Sequence, residues 1–292
     1  MNRRTHPTGL ALVELLVLTG AITLLLLILL TSKRSTLDPR MPCGTSLSGI
    51  GKAMLVYSSD YRDELPRAGG GQSEWTGRVA DWQAGDRKTA YGLGADGTGG
   101  QVSISASLYL LVKYMELTPK SFVCRGDKEA KEFKVEDYRF RGTKPVLSGL
   151  WDFGPDPARH CSYAYQMLYG GPALTVSAEP EMAIAADRNP WMDEQRAGSF
   201  SQFTPEAEPF RGTVKQARLG NAMTHEGEGQ NVLFLDTHVQ FKKWSYCSLD
   251  ADNIYTSWDG GDKIRGRPPK LGSRPAGAKD SLLVNDPPAP RK

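Results

Sequence analysis

The chain has 292 residues, with 36 Lys and Arg against 33 Asp and Glu, a formal charge of +3 and 39% hydrophobic residues. Its mean hydropathy is -0.42. These values exclude a polytopic membrane protein and a wholly disordered chain, and so small a charge gives no argument for nucleic acid as a partner. The length suits one large domain or two small ones, and 31 glycines and 19 prolines predict a loop-rich body.

The averages conceal three unlike parts. From Leu10 to Leu30 only Glu14, Thr19, Gly20 and Thr23 are not apolar. A helix of that length rises about 30 Å, enough for a bilayer core, so the pattern predicts a long transmembrane helix over 10–37 behind a basic leader over 1–9. A cleaved secretory signal fits poorly: the apolar block is too long, and LLTSKRSTLD offers no small-x-small site. A plain single-pass anchor fits the length but leaves Glu14 unexplained. A carboxylate inside an apolar run is costly unless an opposite charge meets it. Arg3 and Arg4 before the block are balanced by Lys33 and Arg34 after it, so charge alone sets no orientation.

Pro39 and Pro42 are expected to interrupt any continuous helix. Beyond Cys43, residues Leu47, Ile50, Met54, Tyr57 and Tyr61 recur at helical spacing and read as one core-facing stripe. Residues 66–105 are rich in Gly, Asp and Trp and read as a long loop. Within it ADGTGG has a single carboxylate, which favours a turn over a calcium site. A short helix is expected over Ser107–Met115, and a buried strand from Met182 to Asp187. Residues 231–235 and 238–244 read as a β-hairpin. Thr237 suits a two-residue type I′ turn poorly, which points to a longer turn or another type. Residues 263–292 hold eight bases and two acids and little apolar surface, and read as a disordered basic tail. Charge therefore divides as +3 over 1–42, −6 over 43–262 and +6 over 263–292.

Four cysteines, Cys43, Cys124, Cys161 and Cys247, follow the apolar block. An exported body could oxidise them, and three pairings are open. None stands in a CxxC, so zinc is not indicated. Asp187, His225, Asp236 and His238 have the residue types of a metal site if strand ends bring them together, against turn and hydrogen-bonding roles. Asp250, Asp252, Asp259 and Asp262 place hard oxygen ligands in a Gly-bounded loop, as calcium needs. Their spacing is not that of an EF-hand, and a solvated acidic loop is the competing reading. No phosphate loop, GxSxG elbow or paired-acid motif is visible, so enzyme activity is not expected.

The segment Gly9-Leu10-Ala11-Leu12-Val13-Glu14-Leu15-Leu16-Val17 resembles the signal of type IV prepilins and type II secretion pseudopilins. The family usually has Phe where Leu10 stands and Thr where Ala11 stands. The resemblance implies that a prepilin peptidase cuts after Gly9 and methylates the new N-terminus at Leu10. It also implies that Glu14 meets the N-terminal ammonium of a neighbouring subunit and so sets the register of assembly. Further phrases resemble a planctomycete-type prepilin-like group. They include Pro119–Asp127 around Cys124, Ser162–Gln166, Met182–Arg188, and His225 separated by ten residues from Asp236, near that group's His-x9-Asp-Gly signature. Cys43 and Cys124 occupy the group's two cysteine positions, which implies a Cys43–Cys124 bridge and leaves Cys161 with Cys247.

The expected fold is therefore α+β: a transmembrane assembly helix, then a pilin-like extracytoplasmic domain over 43–262 with an antiparallel sheet and long loops. The expected role is a pilin or pseudopilin subunit at the cytoplasmic membrane, body in the periplasm. Its partners would be the peptidase, other subunits and the assembly machinery. The rival reading is an anchored binding protein or enzyme that borrows the signal, with its site in the 66–105 or 250–262 loop.

Overall fold

The computed structural model describes residues 12–31, 40–70, 72–171, 173–193 and 196–289, with side chains of the first helix described over 14–24. The chain divides into two units, Met1–Asp38 and Pro39–Lys292.

The first unit contains helix α1, Leu12–Thr31. The expected transmembrane helix over 10–37 requires correction: among the described residues no helix is long and apolar enough to cross a membrane. Within its apolar run α1 carries Glu14, Thr19, Gly20 and Thr23. Both threonines turn their hydroxyls back onto the helix, Thr19 to the Leu15 carbonyl at 3.0 Å and Thr23 to the Thr19 carbonyl at 2.9 Å. Gly9 and Leu10 lie outside the described residues.

The second unit is built, in chain order, from α2 (Arg40–Asp60), β1 (Glu74–Trp75), α3 (Arg87–Tyr91), β2 (Gln101–Val102), α4 (Ile104–Met115), β3 (Tyr163–Gln166), β4 (Ala183–Asp187), α5 (Val214–Ala217), β5 (Gln230–Phe234), β6 (Val239–Lys242), β7 (Ser257–Asp259), β8 (Asp262–Arg267) and β9 (Leu283–Val284). Its main sheet has the order β6-β5-β4-β3-β9, and every neighbouring pair is antiparallel. The architecture is α+β.

Pro42 does not break α2. It occupies the first turn, where its missing N–H would have had no intrahelical partner. The stripe of Cys43, Leu47, Ile50, Met54 and Tyr57 is buried, while Tyr61 follows the helix end and is partly exposed. At Gly51 a Cβ would stand 2.7 Å from a Leu233 methyl, so a larger residue there would force Leu233 to shift where α2 packs on β5.

Helix α4 is the centre of the unit. Ile104 through Val112 are all buried, as in a helix surrounded by protein. Ser103 caps it by accepting the Ala106 N–H, and Glu116 closes it in the left-handed region at φ 56°. The sheet is buried on both faces. Tyr163, Tyr165, Leu233, Leu235, Leu282 and Val284 face the core shared with α2 and α4. Ala164, Val232, Phe234 and Leu283 face a second core around Trp191, Phe203 and Tyr255. The β5–β6 turn is longer than two residues: Phe234 N–H donates to the His238 carbonyl, and Thr237 takes φ +71°.

Two further expectations change. Residues 66–105 are not one open loop: they contain the parallel pair β1–β2 and helix α3, and they bury Trp75 and Tyr91. The described part of the expected disordered tail over 263–292, residues 263–289, is instead structured. Strand β9 closes the sheet against β3, and Asp280 to Asp286 are buried throughout. Asp286 reaches α4: one oxygen accepts the Ile104 N–H at 2.9 Å and the other the Ser105 N–H at 2.8 Å. The Trp75 indole N–H also donates to it at 2.9 Å. A carboxylate at a helix N-terminus meets both orphan amides and the positive end of the helix dipole. Replacing Asp286→Ala leaves these donors buried and unmet, and should cost about 4 kcal/mol and lower Tm by ~10 °C in a thermal melt.

Candidate functional site

The residues that carried the sequence argument are spread over both units. Glu14 sits in the first turn of α1. Cys43, in the first turn of α2, is bonded to Cys124, just after a short turn of helix at Pro119–Phe122, across 81 residues of sequence. The expected Cys161–Cys247 bridge is absent: both are free thiols, and burial pushes each up to about 12, which keeps them protonated and inert.

Beside the disulfide lies a buried polar cluster. His225 Nε2 is 3.1 Å from Asp187 Oδ2, 3.1 Å from Asn231 Nδ2 and 3.9 Å from Cys124 Sγ. Asp187 Oδ2 also accepts the Asn231 backbone N–H at 2.7 Å. The end of β4, the start of β5 and the turn before it are thereby locked to the disulfide. Gly126 completes the lock: a Cβ there would stand 2.3 Å from the Thr224 carbonyl. The side chains of His225 and Asp187 are 2% and 0% exposed, so no substrate reaches them and the pair holds the fold. Asp236 and His238 do not join it. They pair with each other in the exposed β5–β6 turn, at 2.5 Å. Among the described residues only Cys43, Cys124 and His225 are grouped closely enough for a metal. Both sulfurs are spent in the disulfide, and a disulfide offers no thiolate.

Asp250, Asp252, Asp259 and Asp262, the acids of the loop read as either a calcium site or a solvated loop, each have partners within the fold. Asp250 meets Lys263 at 3.1 Å, and Asp259 pairs with Arg267. Asp262 accepts the Ile264 and Arg265 amides at 3.1 and 2.9 Å. Asp252 is turned inward, accepting the Trp258 indole N–H and the Ser281 amide at 2.7 Å each. The four do not converge. Asp96 likewise closes its own turn through Thr98.

Two buried acid pairs escaped the sequence reading. Ser105 Oγ lies 2.9 Å from Asp152 Oδ1 and 2.8 Å from Asp286 Oδ2. One hydroxyl has one proton, so the second contact needs a protonated carboxyl. Burial first, and the Asp286 charge second, push Asp152 up to about 7. In the other pair, burial and then the Asp280 charge push Asp252 up to about 8, and burial raises Asp280 to about 6. Nothing local in the sequence marks these partners, because each pair joins the C-terminal segment to a distant one.

A cavity of about 500 Å³ opens where α2 ends. Tyr57 and Tyr61, four residues apart, stack with ring centroids 4.0 Å apart, and Tyr114 from the end of α4 leans on Tyr61 at 5.8 Å. Trp151 and Tyr91 meet edge to face at 5.5 Å on another side. Arg62, Arg67 and Arg87 reach it together with Asp60 and Glu64. The stripe at 57 and 61 was legible as a core face. That it continues into a cavity was not, because α3, α4 and Trp151 supply the other walls.

Compared with known proteins, the chain matches no family model, no curated protein and no solved structure.

Two outcomes follow from the buried groups. Asp152, Asp252 and Asp280 hold a proton more tightly folded than unfolded, where each titrates near its ordinary 3.8. Their stabilisation is present below that value and is lost as pH rises through about 6 to about 8, at up to ~1.4 kcal/mol per pH unit for each proton released. Thermal melts between pH 5 and pH 8.5, settings spanning these values, should therefore show a shallower fall for Asp252→Asn than for the native chain; equal slopes would contradict the assignment. Separately, removing the bridge with Cys43→Ser and Cys124→Ser should cost about 4 kcal/mol by loop-closure entropy, read by denaturant unfolding.

Proposed function

We propose that the chain is a prepilin- or pseudopilin-like subunit, cut after Gly9 by a prepilin peptidase and assembled with other pilin-type subunits through its N-terminal helix. With no match among known proteins, this reading rests on the motif residues and on the character of α1.

The observation that carries it is the exposure of α1. Leu15, Leu16, Val17 and Leu18 are 56%, 64%, 67% and 60% exposed. Four successive residues point to all sides of a helix, so the apolar surface is a collar and not a stripe. Copies of the same helix, bundled side by side, would cover such a collar through interdigitated side chains. Glu14 lies in the first turn, where a carboxylate is favoured by the helix dipole. In the family that the motif resembles, this acid meets a neighbour's N-terminal ammonium, and a pair of opposite charges in apolar surroundings fixes register. The second unit supports the same division of labour, since its core lies within 39–292.

A second reading, a binding body behind the same signal, is favoured by the cavity at the end of α2. The two are compatible.

N-terminal sequencing of the mature protein should begin at Leu10. Glu14→Ala should reduce assembled material recovered by shearing and sedimentation by about tenfold, as expected when one charge of a desolvated pair is removed, with the second unit still folded by circular dichroism. A different mature N-terminus, or normal assembly of the Glu14→Ala chain, would overturn the reading.

A further inference from the structure

The corner fastened by the Cys43–Cys124 bridge holds more donor atoms than a bridge needs. Cys43 Sγ, Cys124 Sγ and His225 Nε2 all lie within 4.8 Å of one another, and all three residues are buried. Asp187 Oδ2 stands 3.1 Å from the same His225 nitrogen. The other oxygen of that carboxylate, Oδ1, is buried and has no hydrogen-bond partner among the described residues. A buried carboxylate oxygen without a donor is costly, and a cation held beside it offsets that cost.

In the oxidised chain the two sulfurs are bonded to each other and ligate nothing. In the chain as synthesised they are two thiols at the same corner. Zinc takes Zn–S bonds of about 2.3 Å and Zn–N and Zn–O bonds of about 2.0 Å, so a tetrahedral site sets S and N ligands ~3.5 Å apart and N and O ligands ~3.3 Å apart. Cys124 Sγ is 3.9 Å from His225 Nε2, and His225 Nε2 is 3.1 Å from Asp187 Oδ2. Both edges are near the required length, and parting the two sulfurs makes the space for the ion. The Gly126 N–H donates to Cys124 Sγ at 3.4 Å. A donor aimed at sulfur favours the thiolate, the form that ligates. Asn231 Nδ2, 3.3 Å from Asp187 Oδ2, orients the carboxylate from outside the donor set. Charge balances as well. Two thiolates and a divalent cation sum to zero, as a disulfide does, so either closure leaves the buried charge of the corner the same. Two sulfurs, an imidazole and a carboxylate suit a borderline-soft ion of the zinc class and not calcium or magnesium.

We propose that the reduced chain binds one zinc-class divalent ion through Cys43, Cys124, His225 and Asp187, and that the ion and the disulfide are alternative closures of this corner. Binding releases the two thiol protons to solvent and moves no electrons. Closing the bridge afterwards passes two electrons from the thiolate pair to a disulfide oxidant, forms the Sγ–Sγ bond and returns the ion to solvent. The proposal goes beyond the assembly reading and does not rest on it.

The test is refolding of the full-length chain in detergent, reduced in denaturant and then freed of reductant without air, with cobalt(II) as the probe. Tetrahedral cobalt(II) shows strong visible ligand-field bands, and a bound thiolate adds a sulfur-to-cobalt band in the near ultraviolet. Both are expected, saturating at one cobalt per chain and displaced by zinc, while the oxidised chain shows neither. Cys161→Ser with Cys247→Ser should leave them unchanged, which separates this site from the other two thiols. In that background Cys43→Ser should weaken cobalt binding at least about 100-fold, and Asp187→Asn about tenfold. A Cys43→Ser chain can lose binding through misfolding, so the unmutated chain supplies a second arm. Zinc should raise the denaturant midpoint of the reduced chain and leave that of the oxidised chain in place. No cobalt bands in the reduced chain, bands that need Cys161 or Cys247, affinity unchanged by Cys43→Ser or by Asp187→Asn, or an equal zinc shift in the oxidised chain would overturn the proposal. Failure of the reduced chain to regain native circular dichroism with the ion present would overturn it too. None of these outcomes depends on cleavage after Gly9 or on filament assembly, so the two proposals fail separately.

Discussion

The second unit depends on one constraint: α4 is buried on every side, so its first amides cannot be met by water. Asp286 meets them from 181 residues away along the chain. The carboxylate is held in turn by the Trp75 indole and by Ser105, and Ser105 brings it against Asp152. One helix terminus thereby ties together the segment before α3, the segment after α4 and the last strand. The sheet follows from the same tie. With Asp286 anchored on α4, Leu282 and Val284 are placed in the core beside β3, and β9 completes the fifth position. Charge is tolerated there because it is shared: a single proton across Asp152 and Asp286 spares the core a second buried negative charge.

The opposite end of the sheet is secured by covalent and hydrogen-bonded contacts. The Cys43–Cys124 bridge fastens the start of α2 to the segment after α4, and His225, Asp187 and Asn231 fasten that corner to β4 and β5. The motif residues of the body are thus mostly architectural. His225 and Asp187 resemble a catalytic pair in type and distance, but they are sealed from solvent.

Much of the fold was legible where a local pattern decides the outcome. The α2 stripe, the α4 helix, the strand ending at Asp187 and the β5–β6 hairpin are each written in 3.6- or 2-residue periodicity. The misreadings were places where distant partners decide. Residues 281–284, Ser-Leu-Leu-Val, are a short apolar run inside a basic, proline-rich segment. Averaging over thirty residues hid the one strand that closes the sheet. Asp252 looked like a calcium ligand because its neighbours are acids; the fold turns it away from them toward Trp258 and Ser281. The cavity was half visible: Tyr57 and Tyr61 were assigned to a face, but Tyr91, Tyr114 and Trp151 share no spacing with them. Long apolar runs carry the reverse hazard. Composition alone suggested a bilayer span, whereas among the described residues no helix is long and apolar enough to cross a membrane.

The placement of β9 has a consequence for timing. A chain leaving a ribosome or a translocation pore emerges from its N-terminal side, so α2, α4 and four strands of the sheet are available before the fifth. Until Asp286 arrives, α4 has buried apolar sides and an unsatisfied amide end, and β3 presents an open edge. The unit therefore gains its last cooperative contacts only when the segment around 280–286 is free to dock. Such an order of events makes a contact between segments far apart in sequence the one that completes the sheet.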